Sequence, residues 1–216
     1  MWRKVVRREI MIKVAITGGI GSGKSTAADI LRNFGYKCES ADGIYRELLA
    51  DEEFVEKISE HMGIAPIICD GKKVLDKQSL SDKVFGNKNE LKKLNDFTHP
   101  AVMDVLMKNM EKRRGDDITF AEVPVLFEGG FDRLFDYVVV IKKDIESRVL
   151  KTIDRDGKSA DDVKRVIAAQ VDYDNIEENG KFIVVKNDGT IEELKENLKR
   201  TVAEILQKDK KQAEND

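Results

Sequence analysis

The stretch "ITGGIGSGKSTAADIL", residues 16–31, decides the fold. Four glycines stand within positions 18–23, directly before Lys24-Ser25-Thr26 and a helical run. Gly18, Gly23, Lys24 and Ser25 match G-x-x-x-x-G-K-[ST], the spacing of a phosphate-holding loop. Glycines admit positive-φ turns and close backbone approach, so successive N–H groups wrap phosphate oxygens. A helix starting near Lys24 points the positive end of its dipole at the same anions. Lys24 then reaches the β- and γ-phosphates of a nucleoside triphosphate, and the Ser25 hydroxyl ligates Mg²⁺. Gly18, Gly19, Gly21, Ser22, Gly23, Lys24, Ser25 and Thr26 are the candidate ATP-binding residues. A glycine-rich turn without a ligand is the competing reading. It is disfavoured because a strand precedes the pattern and a helix follows it.

Outward from the loop, apolar runs and helical periods alternate. "IKVAIT" (12–17) is short, β-branched and closed by glycine, so it reads as a buried strand. The helix from 24 to 34 stops at Gly35. "YKCESA" (36–41) is a weaker strand, and 42–61 is helical with a break near Asp51. Pro66 and Asp70-Gly71 make 63–77 a loop with a short hairpin. Residues 79–114 read as mostly helical, with Ser79 and Asp82 as a capping pair and a new helix begun by Pro100. Strands follow at 117–128 and 136–141, helices at 144–155 and 163–171, and a fifth strand, "KFIVVKN", at 181–187. Thr190 and Glu193 form a capping box for an amphipathic helix carrying Ile191, Leu194, Leu198, Val202 and Ile205 on one face. The tail 207–216 reads as frayed. Five strands, each followed by helix, predict an α/β fold: a parallel sheet with helices on both faces, in the P-loop manner.

Bulk properties exclude several classes of function. A net charge of −3 leaves no global footprint for nucleic acid. Any anionic ligand must therefore meet local cations. The pairs Lys72-Lys73, Lys92-Lys93, Arg113-Arg114 and Lys142-Lys143 read as solvated surface. Cys38 and Cys69 lack metal-ligand spacing and read as free, partly buried thiols. No apolar run reaches membrane-spanning length. Residues 1–10 are basic without an apolar core, which reads as an extension ahead of "MIKVAITGG" and as no signal peptide. The expected location is the cytoplasm.

A P-loop is shared by kinases, ATPases and GTPases. The guanine-reading Asn-Lys-x-Asp order is missing; "KNDG" (186–189) does not supply it. A D-x-x-G string at 154–157 follows a helix where a GTPase would have a strand end. A chain of 216 residues has room for a small-molecule kinase with a substrate subdomain and a lid.

Four blocks then carry a specific resemblance. "MIKVAITGGIGSGKSTAADILRNFGYKCESADGIYRELL" is similar to the N-terminal segment of dephospho-coenzyme A kinases. "LSDKVFGNKNELKKLNDFTHPAV" (80–102) resembles that family's helical segment ending in His-Pro. "VPVLFEGGFDRLFDYVVVI" resembles its V-P-L-L-F-E block and following strand, and "KTIDRDGKSADDVKRVIAAQ" resembles its lid. The resemblance spans residues 11–206. This chain departs from the pattern at Ser40, where D-A-D would have an acid, and at Lys151, where arginine is common. It also departs at 181–187, where "KFIVVKN" replaces A-D-Y-V-I-D-N.

The resemblance implies transfer of the ATP γ-phosphoryl group to the ribose 3′-hydroxyl of dephospho-CoA, the last step of coenzyme A biosynthesis. It implies one kinase domain over 11–210. The nucleotide core comprises 11–62, 115–145 and 172–210, the acceptor subdomain 63–114, and the lid 146–171. Lys24, Asp42 and Arg155 are the candidate catalytic residues. Asp42 would orient or deprotonate the acceptor hydroxyl, or else cap the next helix. Arg155, and less directly Arg148, would meet charge on the transferring phosphoryl, or else be surface charges. His99, Pro124, Leu126 and Glu128 are candidate acceptor contacts; for His99, packing at a helix joint is the alternative. Glu122 could hold Mg²⁺ through water, or else be a surface carboxylate at a strand end. Phe85, Phe97 and Phe127 read as core rather than adenine platforms. Other small acceptors, such as a nucleoside monophosphate, and a nucleotide-binding regulatory module with little turnover remain the rival readings.

Overall fold

The fold is taken from a computed structural model that describes residues 11–112 and 117–215. The expected extension at 1–10, the Arg113-Arg114 pair and the core boundary at 115 lie outside these residues. Elements run in the order β1 (Ile12–Thr17), α1 (Lys24–Asn33), β2 (Cys38–Ser40), α2 (Ala41–Leu48), α3 (Glu52–Met62), β3 (Ile67–Cys69), β4 (Lys72–Val74), α4 (Lys77–Val84), α5 (Lys88–Glu111), β5 (Ile118–Glu122), β6 (Tyr137–Lys142), α6 (Ile145–Asp156), α7 (Ala160–Ala169), β7 (Phe182–Lys186) and α8 (Ile191–Asn215). Two compact units divide the chain: one holds the residues up to Glu39 and from Met110 onward, the other Ser40–Asn109.

The first unit is built on the predicted five-stranded parallel sheet, ordered β2-β5-β1-β6-β7. β1 lies at its centre, pairing Ile16 with Glu122 of β5 and with Val139 of β6. Strands buried on both faces need continuous apolar runs, which is what "IKVAIT" and "YVVVIK" supply. Ala27, Ala28, Ile30 and Leu31 of α1 and Leu194, Leu198, Val202 and Ile205 of α8 close one face over Phe120, Val139 and Ile183. Each fully buried leucine or isoleucine there contributes about 1.5–3 kcal/mol. The Thr190–Glu193 capping box forms as predicted: Glu193 N–H donates to Thr190 Oγ1 at 3.2 Å, and Thr190 N–H to Glu193 Oε2 at 2.8 Å.

Three expectations fail in this unit. β5 leads into turns and a single 3-10 turn, Asp132–Leu134, rather than an α-helix. The tail does not fray: α8 continues through Asn215, since Lys, Gln, Glu and Ala are good helix formers. The Lys142-Lys143 pair is not solvated surface, because Lys143 is buried.

The second unit packs α2, α3, α4 and α5 around Phe54, Val55, Ile58, Met62, Leu75 and Leu80. The break at Asp51 is a new helix start, its carboxylate accepting from Glu53 N–H at 2.8 Å. The predicted hairpin is β3–β4, and its turn has positive φ at both Asp70 and Gly71, as a two-residue I′ turn requires.

Four further corrections belong here. Asp76, not Ser79, caps α4, accepting from Gln78 and Ser79 N–H at 3.1 Å each. The Ser79 hydroxyl donates to the same carboxylate and holds it below its ordinary pKa. Pro100 does not begin a helix but lies inside the 24-residue α5. Its missing N–H costs the helix one bond, yet Phe97 and Ala101 pack into the core on either side and keep the two halves in line. Phe85 is 86 % exposed rather than core, because α4 stops at Val84 and Gly86 turns the chain. Cys69 is exposed, not partly buried.

Candidate active site

The loop at 18–23 joins β1 to α1 at the carboxyl end of the central strand, where open parallel sheets carry ligands. The first α1 helical bond runs from Ala27 N–H to Gly23 O at 2.9 Å. The preceding N–H groups of Lys24, Ser25 and Thr26 therefore have no acceptor within the helix, which makes this terminus an anion site. Gly23 is its N-cap with φ 95, a conformation that costs glycine nothing. A Cβ there would also strike the Asn187 amide. Lys24 folds back over the loop, its ammonium 3.5 Å from Gly19 O.

Ser25 and Glu122 meet. The hydroxyl donates to Glu122 Oε1 at 2.6 Å, and Glu122 is only 8 % exposed. Strand register explains the meeting, since Glu122 pairs with Ile16 two residues before the loop. The surface alternative for Glu122 is thereby removed. A hydroxyl beside a carboxylate is the hard-oxygen donor set that suits Mg²⁺, which keeps most of its waters and needs no protein cage. Among the described residues no cluster of three or more His, Cys, Asp or Glu could hold a metal.

The rest of the loop is held by residues far away in sequence. Asn187, at the carboxyl end of β7, donates from Nδ2 to Ser22 O at 2.8 Å. Its own carbonyl accepts from Lys143 Nζ at 2.5 Å, and its N–H donates to Lys142 O at 2.8 Å. Arg148, 4 % exposed at the first turn of α6, donates from Nε to Ile20 O at 3.0 Å and pairs with Asp174 at 3.7 Å. Gln170 Oε1 accepts from Ile20 N–H at 2.9 Å.

Tyr173 gathers a second group. Its hydroxyl lies 3.4 Å from Thr17 Oγ1, 3.2 Å from Pro124 O and 3.5 Å from Glu128 Oε2. Burial pushes its pKa up to about 12. Glu128 Oε1 also accepts from Val171 N–H at 3.4 Å, and Leu126 is fully buried. Phe127, expected in the core, is only half-buried, packing edge-on to Phe182 and near Tyr173.

Of the remaining candidates, Arg155 is exposed at the end of α6 and holds Asp156 through Nε at 2.6 Å and Nη2 at 3.0 Å. Asp42 and His99 belong to the second unit. Asp42 is exposed in the first turn of α2 and does not cap it; Ser40 does, its Oγ accepting from Gly43 N–H at 3.1 Å. His99 is half-buried in the middle of α5. In the same unit Phe97 stacks on His61, with ring centroids 4.7 Å apart.

Sequence reading missed the loop supports Lys143, Gln170, Tyr173 and Asn187. Asn187 had a usable signal, since it directly follows a parallel strand where ligand-side residues collect.

A glycine loop between a central parallel strand and a helix, with its serine bonded to a buried strand-end acid, defines a P-loop nucleoside-triphosphate-binding protein. The model of the dephospho-CoA kinase family matches residues 12–193. A dephospho-CoA kinase of Corynebacterium glutamicum is 35 % identical over 199 residues, covering 91 % of this chain and 98 % of that protein. Two solved structures are similar: a Thermus thermophilus protein (31 % identity, TM-score 0.74, 90 % of this chain and 97 % of that one) and a dephospho-CoA kinase from Campylobacter jejuni (26 %, 0.64, 92 % and 98 %). The chain belongs to the dephospho-CoA kinase family, and it is a phosphotransferase. No helix among the described residues is long and apolar enough to cross a membrane.

Proposed function

We propose that this protein transfers the γ-phosphoryl group of ATP to the ribose 3′-hydroxyl of dephospho-CoA, yielding CoA and ADP, by the following division of labour. The loop from Gly18 to Thr26 holds the phosphates through its backbone N–H groups, and Lys24 places a positive charge against the β- and γ-phosphates. Asp42 orients the acceptor hydroxyl and takes its proton as the new O–P bond forms and the bond to the β-phosphate oxygen breaks. Arg155, released from Asp156, is the lid cation that meets the transferring charge. The segment 146–171 is the lid and 63–114 the acceptor subdomain. His99, Pro124, Leu126 and Glu128 belong to the acceptor side, Leu126 and Pro124 by shaping it and Glu128 through its link to Tyr173.

Mg²⁺ would be held by Ser25 directly and by Glu122 through water, and when bound it supplies neutralisation of phosphate charge. A cytoplasmic location suits two free cysteines and an ATP-consuming reaction.

The observation that carries this reading is the Ser25–Glu122 bond within a glycine loop of the right spacing, in a chain of this family. The test is coupled ADP release with Mg-ATP, with and without dephospho-CoA, using AMP and shikimate as controls and mass spectrometry of the product. ADP release that depends on dephospho-CoA, with one phosphate added to it, is expected. Turnover confined to another acceptor would overturn the assignment of substrate.

A further inference from the structure

Both backbone groups of Ile20 are engaged by side chains from the lid segment. Its N–H donates to Gln170 Oε1 at 2.9 Å and its carbonyl accepts from Arg148 Nε at 3.0 Å. The two side chains come from opposite ends of that segment: Arg148 from the start of α6, and Gln170 from the C-cap of α7. The contact is tight along its length. A Cβ on Gly19 would overlap the Arg148 guanidinium, and one on Gly21 would come within 2.8 Å of Arg148 O and Thr152 Oγ1. Thr152 in turn donates to Arg148 O at 2.8 Å, fixing that turn of α6. Asp174 pairs with the far side of the guanidinium.

We propose that Arg148 and Gln170 are a pair of positioning residues that clamp the phosphate loop at Ile20, and so make nucleotide affinity depend on how the lid is seated. The inference rests on the kinase reading above, but assigns Arg148 a role other than contact with phosphate. The guanidinium is buried and directed at a loop carbonyl and Asp174. It acts on ATP through the curvature it imposes on residues 19–21, immediately ahead of the N–H groups that meet phosphate. Clamping matters in a nest of N–H groups because each bond to an anion weakens steeply once the donor tilts away. A loop held at one residue by both its donor and its acceptor keeps the following donors convergent without a ligand, which removes an ordering cost from binding.

The clamp and a direct phosphate contact predict different ligand dependence. A residue touching the γ-phosphoryl discriminates ATP from ADP. A residue that shapes the loop affects both equally, because both carry the β-phosphate that the loop surrounds.

The experiment is calorimetric titration of Mg-ADP and of a non-hydrolysable Mg-ATP analogue into the full-length protein and into Arg148→Met, Gln170→Ala and the double variant. Each single change is expected to weaken both nucleotides by the same factor, about tenfold for Arg148→Met, as loss of one charge-assisted bond implies. The double variant is expected to lose less than the product of the two factors, since one clamp is broken only once. Loss confined to the ATP analogue would overturn the proposal in favour of direct γ-phosphoryl contact. Unchanged affinities with a lowered urea midpoint would overturn it in favour of plain packing. If Arg148→Met does not fold, Gln170→Ala carries the same test from a less buried position. A parent protein that bound neither nucleotide would refute the kinase site, and the clamp with it.

Discussion

Replacing Gly19 by alanine should destabilise the protein, and Arg148 should decide by how much. Gly19 does not have positive φ, so alanine meets no backbone strain there. The added methyl instead meets the Arg148 guanidinium, which is 4 % exposed and held by Ile20 O at 3.0 Å and Asp174 at 3.7 Å. Arg148 must then leave both. A hydrogen bond from a charged group is worth about 1.5–3 kcal/mol, and an ion pair to an exposed partner about 0–1 kcal/mol. Against this, alanine restricts the unfolded chain and returns about 0.4–1 kcal/mol. The net cost is about 1–3 kcal/mol. In an Arg148→Ala background the obstacle is gone, and Gly19→Ala should become neutral or mildly stabilising. Urea unfolding of the four proteins at neutral pH closes the cycle. An equal cost for Gly19→Ala in both backgrounds would refute the reasoning, because the methyl would then be meeting something other than Arg148.

Three further outcomes are expected. Asp42→Asn should leave nucleotide affinity nearly intact while turnover with dephospho-CoA falls on the order of 10²–10⁴-fold; steady-state kinetics beside ADP titration checks it, and unchanged turnover would remove Asp42 from the chemistry. Glu122→Gln keeps an acceptor for the Ser25 hydroxyl but loses the charge, so the Mg²⁺ concentration for half-maximal activity should rise by about tenfold or more with the urea midpoint little changed. At alkaline pH, Cys38 should weaken the fold. Burial lifts its thiol from 9.0 to about 12, so the unfolded chain loses that proton first. Stability is then fully present below pH 9 and declines as pH rises toward 12. Cys38→Ala should flatten the fall in urea midpoint from pH 9 upward toward about 12, and an unchanged fall would assign it to other groups.

The sheet strands and the phosphate loop were legible because short-range rules fix them. A β-branched run ending in glycine has one comfortable conformation, and Gly23-Lys24-Ser25 has one obvious use. Thr190 and Glu193 likewise announce a helix start within four residues. The misreadings came where burial decides. Pro100 is a helix breaker by local preference, but Phe97 and Ala101 pack on either side and carry α5 through it. Ser79 looked like a cap until Asp76, three residues earlier, offered a better acceptor. Lys142-Lys143 read as surface charge, yet Lys142 Nζ donates to Asp174 O at 2.8 Å and Ile176 O at 2.7 Å, and Lys143 is buried against Asn187. The supports of the loop come from positions 148, 170 and 187. Asn187 at least follows a parallel strand, but nothing local marks Arg148 or Gln170 as the side chains that meet the backbone of Ile20 more than a hundred residues away.

The departure at Ser40 bears on how much of the acceptor chemistry this chain retains. Serine and aspartate are nearly equal N-caps, and the Ser40 hydroxyl makes the expected bond to Gly43 N–H. The helix start that presents Asp42 is therefore preserved by the substitution. What is lost is a carboxylate two residues before Asp42, and with it one negative charge at a helix N-terminus. The loss removes a second acceptor that could have shared the orienting of the hydroxyl. On the proposed assignment it leaves untouched the binding of ATP by the loop at 18–26. A chain with serine at this position should thus differ from an aspartate-bearing one in turnover and acceptor affinity, while its nucleotide affinity stays the same.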